Sequence, residues 1–264
     1  MQFSIKRDEL LKSLNFVQGV VEKKNTLPIL SNVLIDAKEN KIRIVATDLD
    51  LIFYDEINKV KIIKEGSSTT SATVLYDILR KISSNADINF DLKSTNKLSL
   101  RTENSDFNLL CLPVDNFPNF SDNFDENEII LNKNNFLSLL NKSKISISND
   151  ETRHYLSGIF LHQTQNDDKN FLTAAATDSH RMSISKIRLE NKIDFEPVIL
   201  PKKTIFQLCS LLEDFEGNVK ISNIKSKIKF ELNNSILISK LIDGKFPNYI
   251  QVIPRENQKK LEID

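Results

Sequence analysis

The chain repeats itself once. Leu30-Ser31-Asn32-Val33 returns as Leu156-Ser157-Gly158-Ile159, and Ala46-Thr47-Asp48 as Ala176-Thr177-Asp178. Phe117-Pro118-Asn119 returns as Phe246-Pro247-Asn248. The offsets are 126, 130 and 129 residues, in one order along the chain. Three ordered matches at nearly one spacing mark two copies of a single domain. A period this long excludes solenoids and propellers, whose repeats run about 20–50 residues. A unit of this size folds around its own core. The expected organisation is a first domain over 1–120, a linker over 121–128 and a second domain over 129–254.

Each copy reads strand, helix, several strands, helix, several strands. In the first, 7–21 is helical, because Leu10, Leu11, Leu14, Val17 and Val21 recur at spacings of three and four. Asp8 and Glu9 lie in the first turn, where the helix dipole favours acids. The second copy repeats this helix at 133–145 around Phe136, Leu137, Leu139 and Leu140. A shorter helix is expected at 72–82 and again at 201–212, with Pro201 at its first position. The last third of each copy alternates. Ile88, Phe90 and Leu92 flank Asn89 and Asp91, and Ile228, Phe230 and Leu232 flank Lys229 and Glu231. Period two marks half-buried antiparallel strands. The expected fold class is α+β, with two helices packed on antiparallel sheet in each copy. The stretch 115–128, rich in Asp, Asn, Glu and Pro, reads as a solvated connection rather than an element.

The net charge of +0 excludes a uniformly basic surface but not a segregated one. Across the four helical stretches, taken with their flanks over 6–24, 73–83, 133–147 and 201–214, twelve basic residues face six acidic ones. The rest of the chain therefore carries the balancing negative charge. If the four helices share a surface, that surface attracts phosphate backbones without reading bases; otherwise they are ordinary solvated faces. The N-terminal residues hold no apolar signal region, and no apolar run reaches membrane-spanning length. Cys111 and Cys209 sit in apolar surroundings in different copies, and read as reduced core thiols of a cytoplasmic protein.

Cofactor and catalytic motifs are missing. The five glycines, at 19, 66, 158, 217 and 244, form no phosphate-cradling loop. His154, His162 and His180 form no HExxH, and no cysteine pair suits zinc. One constellation remains: Asp48, Asp50, Asp178 and His180 are residue types that hold two metals for phosphoester hydrolysis. Against a metal-dependent phosphoesterase, Asp48 and Asp178 occupy equivalent places in separate copies and so should lie a domain apart. The plainer role for each is to accept hydrogen bonds from nearby backbone N–H groups.

Two stretches carry a family likeness. One is Thr26-Leu27-Pro28-Ile29-Leu30-Ser31-Asn32 with Ala46-Thr47-Asp48-Leu49. The other joins Arg153-His154-Tyr155-Leu156-Ser157-Gly158, Ala176-Thr177-Asp178-Ser179-His180-Arg181-Met182 and 240–249, Lys-Leu-Ile-Asp-Gly-Lys-Phe-Pro-Asn-Tyr. Together they resemble the β subunit of bacterial DNA polymerase III, the sliding clamp family, along the whole chain. The resemblance implies tandem clamp domains, with helices facing a hole that holds duplex DNA and sheets facing solvent. It implies a non-catalytic processivity factor that binds DNA without sequence preference and raises the polymerase's local concentration. Implied DNA contacts are Lys12, Lys24, His154, Tyr155, Lys202 and Lys203. Asp150 falls in a DNA-side loop where an acid is unhelpful. The implied partner-peptide pocket comprises Leu156, Thr177, Ser179, His180, Arg181, Met182, Pro247 and Val252. It would serve the polymerase III α subunit, the clamp loader and other proteins with a clamp-binding motif. Ser179 stands where Gly is common in the family, and Gln251 where a basic residue is common. No cofactor or metal is implied. Family members carry three repeats and close head to tail as a dimer. Lys260-Leu261-Glu262-Ile263-Asp264 resemble the opening strand of a further repeat, so 255–264 is expected to begin a third domain before which the chain is truncated. A ring of three two-domain chains and a non-replicative two-domain scaffold are the other assemblies compatible with two repeats.

Overall fold

The computed structural model describes residues 1–22, 26–120, 124, 128–190, 193 and 195–254. Each repeat is itself built twice, as strand, helix and three strands. The first repeat opens with β1 (Gln2–Lys6), α1 (Arg7–Val20), β2 (Asn32–Lys38), β3 (Lys41–Thr47) and β4 (Leu51–Ile57). After an extra strand, β5 (Val60–Lys64), the pattern returns as β6 (Gly66–Ser71), α2 (Ala72–Lys81), β7 (Asp87–Ser94), β8 (Lys97–Arg101) and β9 (Asp106–Leu110). The second repeat runs β10 (Ile129–Asn132), α3 (Lys133–Ser143), β11 (Gly158–Asn166), β12 (Lys169–Thr177) and β13 (Met182–Leu189). It closes with β14 (Val198–Pro201), α4 (Lys202–Glu213), β15 (Asn218–Ile224), β16 (Lys227–Leu232) and β17 (Ser235–Lys240).

The helices follow the apolar stripes. Leu10, Leu14 and Val17 of α1 are fully buried. Ser71 Oγ caps α2 by accepting from Val74 N, and Asn132 Oδ1 caps α3 by accepting from the amides of Asn134 and Asn135. Arg80 and Lys81 close α2 in the turn where the dipole favours cations. Pro201 departs from expectation by one residue. It ends β14 opposite Gly158 and is the N-cap of α4, not its first helical residue. The expected third helix also ends early, at Ser143, and tightens into a 3-10 turn over Lys144–Ser146.

Each repeat holds two sheet layers rather than one, because its halves exchange strands. β1 pairs with β7, and β2 with β6. All pairings are antiparallel, giving sheets β5-β1-β7-β8-β9 and β13-β12-β11-β14 with a shared sheet of eight between them. That shared sheet, β10-β15-β16-β17-β4-β3-β2-β6, crosses the repeat boundary where β17 pairs with β4. At this joint Leu237 lies opposite Phe53, and both are 0% exposed. One apolar core continues through both repeats. On its opposite side the helices form a row. α1 packs on α2 and on α4, and α4 packs on α3.

The connection over 115–128 is more than solvated chain. Val114–Asn116 form a 3-10 turn, and Phe117 is buried. Phe120 and Phe124 pack on the sheet face turned away from the helices. The expected strand at 260–264 and Lys24 lie outside the described residues. Among the described residues no helix is long and apolar enough to cross a membrane. Cys111 and Cys209 are free and buried, and burial pushes both thiols up.

Candidate nucleic-acid and peptide interfaces

The repeated Thr-Asp motif builds one turn twice. In the first copy Thr47 Oγ1 accepts from Leu49 N at 2.9 Å, and Asp48 Oδ1 accepts from the amides of Asp50 at 2.9 Å and Leu51 at 2.7 Å. In the second, Thr177 Oγ1 accepts from Ser179 N at 3.1 Å, and Asp178 Oδ1 accepts from the amides of His180 and Arg181, each at 3.0 Å. Leu49 and Ser179 take the same left-handed backbone, at φ 80° and 78°. Ser179 thus occupies a conformation that glycine adopts without strain. The amides of Arg181 and His180 hold the Asp178 carboxyl down at about 2. These carboxylates are spent on backbone donors. Among the described residues no group of three or more His, Cys, Asp or Glu is placed to hold a metal ion. The phosphoesterase constellation therefore does not assemble.

The first turn faces the second repeat. Lys203 Nζ donates to Asp48 Oδ2 at 2.5 Å and to the Val20 carbonyl at 2.9 Å, and stands 3.5 Å from Glu22. Lys240 Nζ donates to Asp50 Oδ1 at 2.8 Å. Two lysines of one repeat thus clamp the turn of the other, and Lys203 spends its charge at this joint. In the second turn His180 and Arg181 are exposed, and Arg181 Nε donates to Asp178 at 3.0 Å.

Beside the second turn lies an apolar patch on the sheet face away from the helices. Leu156, Ala175, Ile199, Phe246 and Tyr249 form its buried floor, with Met182, Ile184 and Tyr155 half-buried against it. Six of the eight residues expected for a peptide pocket fall in this patch or in the turn that adjoins it. Leu156 and Met182 belong to the cluster, while Thr177, Ser179, His180 and Arg181 come from the adjoining turn. Pro247 and Val252 are exposed on the segment that contributes Phe246 and Tyr249 to the floor. Arg153 ties the turn to its neighbour loop, donating to Ser179 Oγ at 2.6 Å and to Asp150 Oδ2 at 2.8 Å. Gly158 is required for packing, since a Cβ there would lie 2.1 Å from the Leu200 carbonyl oxygen. Sequence reasoning missed His162, whose Nε2 meets Tyr249 Oη at 3.0 Å beneath the stacked ring of Phe160. Burial lowers the His162 pKa. The three-residue step from Phe246 to Tyr249 was the only sequence signal for this support.

The residues expected at DNA are differently disposed. Lys12 is exposed on α1, and Lys202 is exposed at the start of α4, donating to Asn149 Oδ1. His154 is exposed and its Nε2 donates to the Asp243 carbonyl at 3.1 Å, whereas Tyr155 packs into the apolar patch. Other helix cations serve the fold. Arg7 Nε donates to the Leu79 carbonyl at the end of α2, and Lys133 is buried 3.4 Å from Glu216. Lys202 and Lys203 open α4, where cations oppose the helix dipole. Lys203 offsets that cost through the joint, while Lys202 leaves its charge on the surface.

Comparison with known proteins matches this architecture over its whole length. The family model for the DNA polymerase III beta subunit, N-terminal domain, matches residues 1–121, and that for the central domain matches residues 130–248. The beta sliding clamp of Caulobacter vibrioides is 37% identical over 266 residues, spanning 100% of this chain and 71% of that protein. That of Escherichia coli is 30% identical over 262 residues, spanning 99% and 70%. The crystal structure of the C. crescentus clamp with polyethylene glycol bound superposes with a TM-score of 0.94 at 37% identity, over 98% of this chain and 69% of that one. A Bartonella birtlesii clamp bound to griselimycin gives 0.93 at 37% identity, over 98% and 69%. The chain belongs to the β sliding clamp family, the non-catalytic processivity subunits of DNA polymerase III.

Proposed function

We propose that the helix row forms the inner, DNA-facing wall of a ring, and that the second-repeat patch receives the C-terminal peptide of the polymerase α subunit. The observation that carries this reading is the row α2-α1-α4-α3 on one side of the molecule, with the three sheets on the other. Lys12, Lys24, His154 and Lys202 are the proposed phosphate contacts, and Tyr155 and Lys203 contribute through their places beside His154 and Lys202. The clamp loader and other motif-bearing proteins would use the same patch, which combines an apolar floor with a polar rim. The clamp domains are assigned to 1–120 and 129–254, joined by 121–128. By position β13 corresponds to β4, and β9 to β17, the two strands that join the repeats. Among the described residues each of these equivalents has one strand partner, so both edges are suited to a head-to-tail ring. A cytoplasmic location agrees with two buried free thiols.

The test is duplex binding across a salt series for the native chain and for Lys12→Gln and Lys202→Gln. Affinity should be weak, independent of sequence, and steeply salt-dependent. Each substitution should reduce the log–log salt slope by about one. Equal affinity at low and high salt would rule out the basic wall.

A further inference from the structure

The first repeat carries the counterpart of the peptide patch. Leu30, Ile52 and Phe117 stand where the second repeat has Leu156, Met182 and Phe246, at the repeat offsets of 126, 130 and 129. They form a cluster on the same sheet face, away from the helices. The two patches differ in what lies on top. Phe120 packs on the first, as Tyr249 packs on the second. Phe124 also packs on the first, whereas its positional equivalent, Ile253, is 38% exposed and outside the second cluster. The Lys229 ammonium stands 5.2 Å from the Phe124 ring centroid and holds the ring by a cation–π contact. Ile236 and Ile238 of β17 close one flank. Ile52 is accordingly 3% exposed, whereas Met182 stays half-buried.

We propose that this first-repeat groove is a second peptide site, occupied by two of the chain's own side chains, the anchors Phe120 and Phe124. Its ligand class is a short linear peptide with two aromatic or long aliphatic side chains four residues apart. The ligand class rests on the peptide-pocket reading of the second repeat; the occupancy does not. A competing peptide must displace a tethered occupant whose effective concentration is of millimolar order, so the groove is closed to weak ligands.

The probe is a labelled octapeptide of residues 117–124 with photoreactive benzoylphenylalanine in place of Phe124. It is added to the complete 264-residue chain and to its Phe120→Ala/Phe124→Ala variant. The variant should bind the probe at least about tenfold more tightly than the native chain, because the tethered competitor is gone. Cross-links should map to β3, β4 and β17, and adding Met182→Ala should leave binding unchanged. No gain over the native chain overturns the inference. So does a gain that Met182→Ala abolishes, with cross-links near Leu156; the second-repeat pocket then stands alone. Loss of the polymerase peptide's affinity in Met182→Ala reports on that pocket separately. Amide exchange across β3 and β4 checks the fold. If the double variant unfolds, Phe124→Ala alone, which trims one half-buried ring, should still gain measurable affinity, and no gain there refutes the proposal.

Discussion

Leu237→Ala tests whether the two repeats are one cooperative body. Leu237 is fully buried on β17 and faces Phe53 of β4, which in turn packs on Phe16 of α1 at 6.0 Å between ring centroids. Removing the isobutyl group forfeits its transfer energy and leaves a cavity that backbone pairing on both sides prevents from collapsing. Fully buried Leu→Ala changes cost about 2–5 kcal/mol, and this site belongs near the middle, about 3 kcal/mol. In a chain of this size each kcal/mol moves the midpoint by about 2–4 °C, so the melt should fall by roughly 6–12 °C. The core is continuous across the joint, so the loss should reach both repeats. Calorimetry should show one transition, shifted whole. Hydrogen exchange read by mass spectrometry should show β7–β8 and β11–β12 losing protection together. Two separate transitions, or a loss confined to the second repeat, would refute cooperative coupling through β4 and β17. A cost below about 1 kcal/mol would refute the packing argument itself.

Two further outcomes concern pH. The Asp178 carboxyl is held at about 2, below its ordinary 3.8, so its contribution is complete above the ordinary value and is lost as pH falls towards 2. The urea midpoint of Asp178→Ala should therefore lie below the native one at neutral pH, and the gap should close on acidification; a constant gap would contradict the turn's electrostatic role. His162 is shifted the other way, with the neutral form favoured by burial, so stability should decline as pH falls below its ordinary 6.5. His162→Phe should flatten that decline in urea titrations between about pH 8 and pH 5.5, and an unchanged slope would place the proton uptake elsewhere.

Local pattern was enough for the helices and for most strand alternation. Leu10, Leu14 and Val17 are spaced for one helical face, and Ile228, Phe230 and Leu232 for one sheet face, and each set is buried as its spacing requires. Pairing between distant strands leaves no local mark, so neither the second sheet layer of each repeat nor the shared sheet of eight could be read. Lys203 shows the same limit at the site. The resemblance implies DNA contact for Lys203, and no local pattern signals that its ammonium also meets Asp48, 155 residues away along the chain. Composition misled at 115–128. Its acids and asparagines mask Phe117, Phe120 and Phe124, whose spacings of three and four were the available signal for packing.

The joint between the repeats carries a continuous run of main-chain hydrogen bonds beside its apolar and lysine contacts. Beyond the β4–β17 ladder, Lys240 N donates to the Asp50 carbonyl at 2.8 Å and Glu56 N to the Asn234 carbonyl at 3.0 Å. Such bonds are blind to side-chain identity. After a duplication, each copy could therefore drift in sequence and still dock on its neighbour. Leu49-Asp50 and Ser179-His180, which occupy matching turns, record that freedom: one turn fastens the two modules, while the other leaves its Ser179 and His180 exposed.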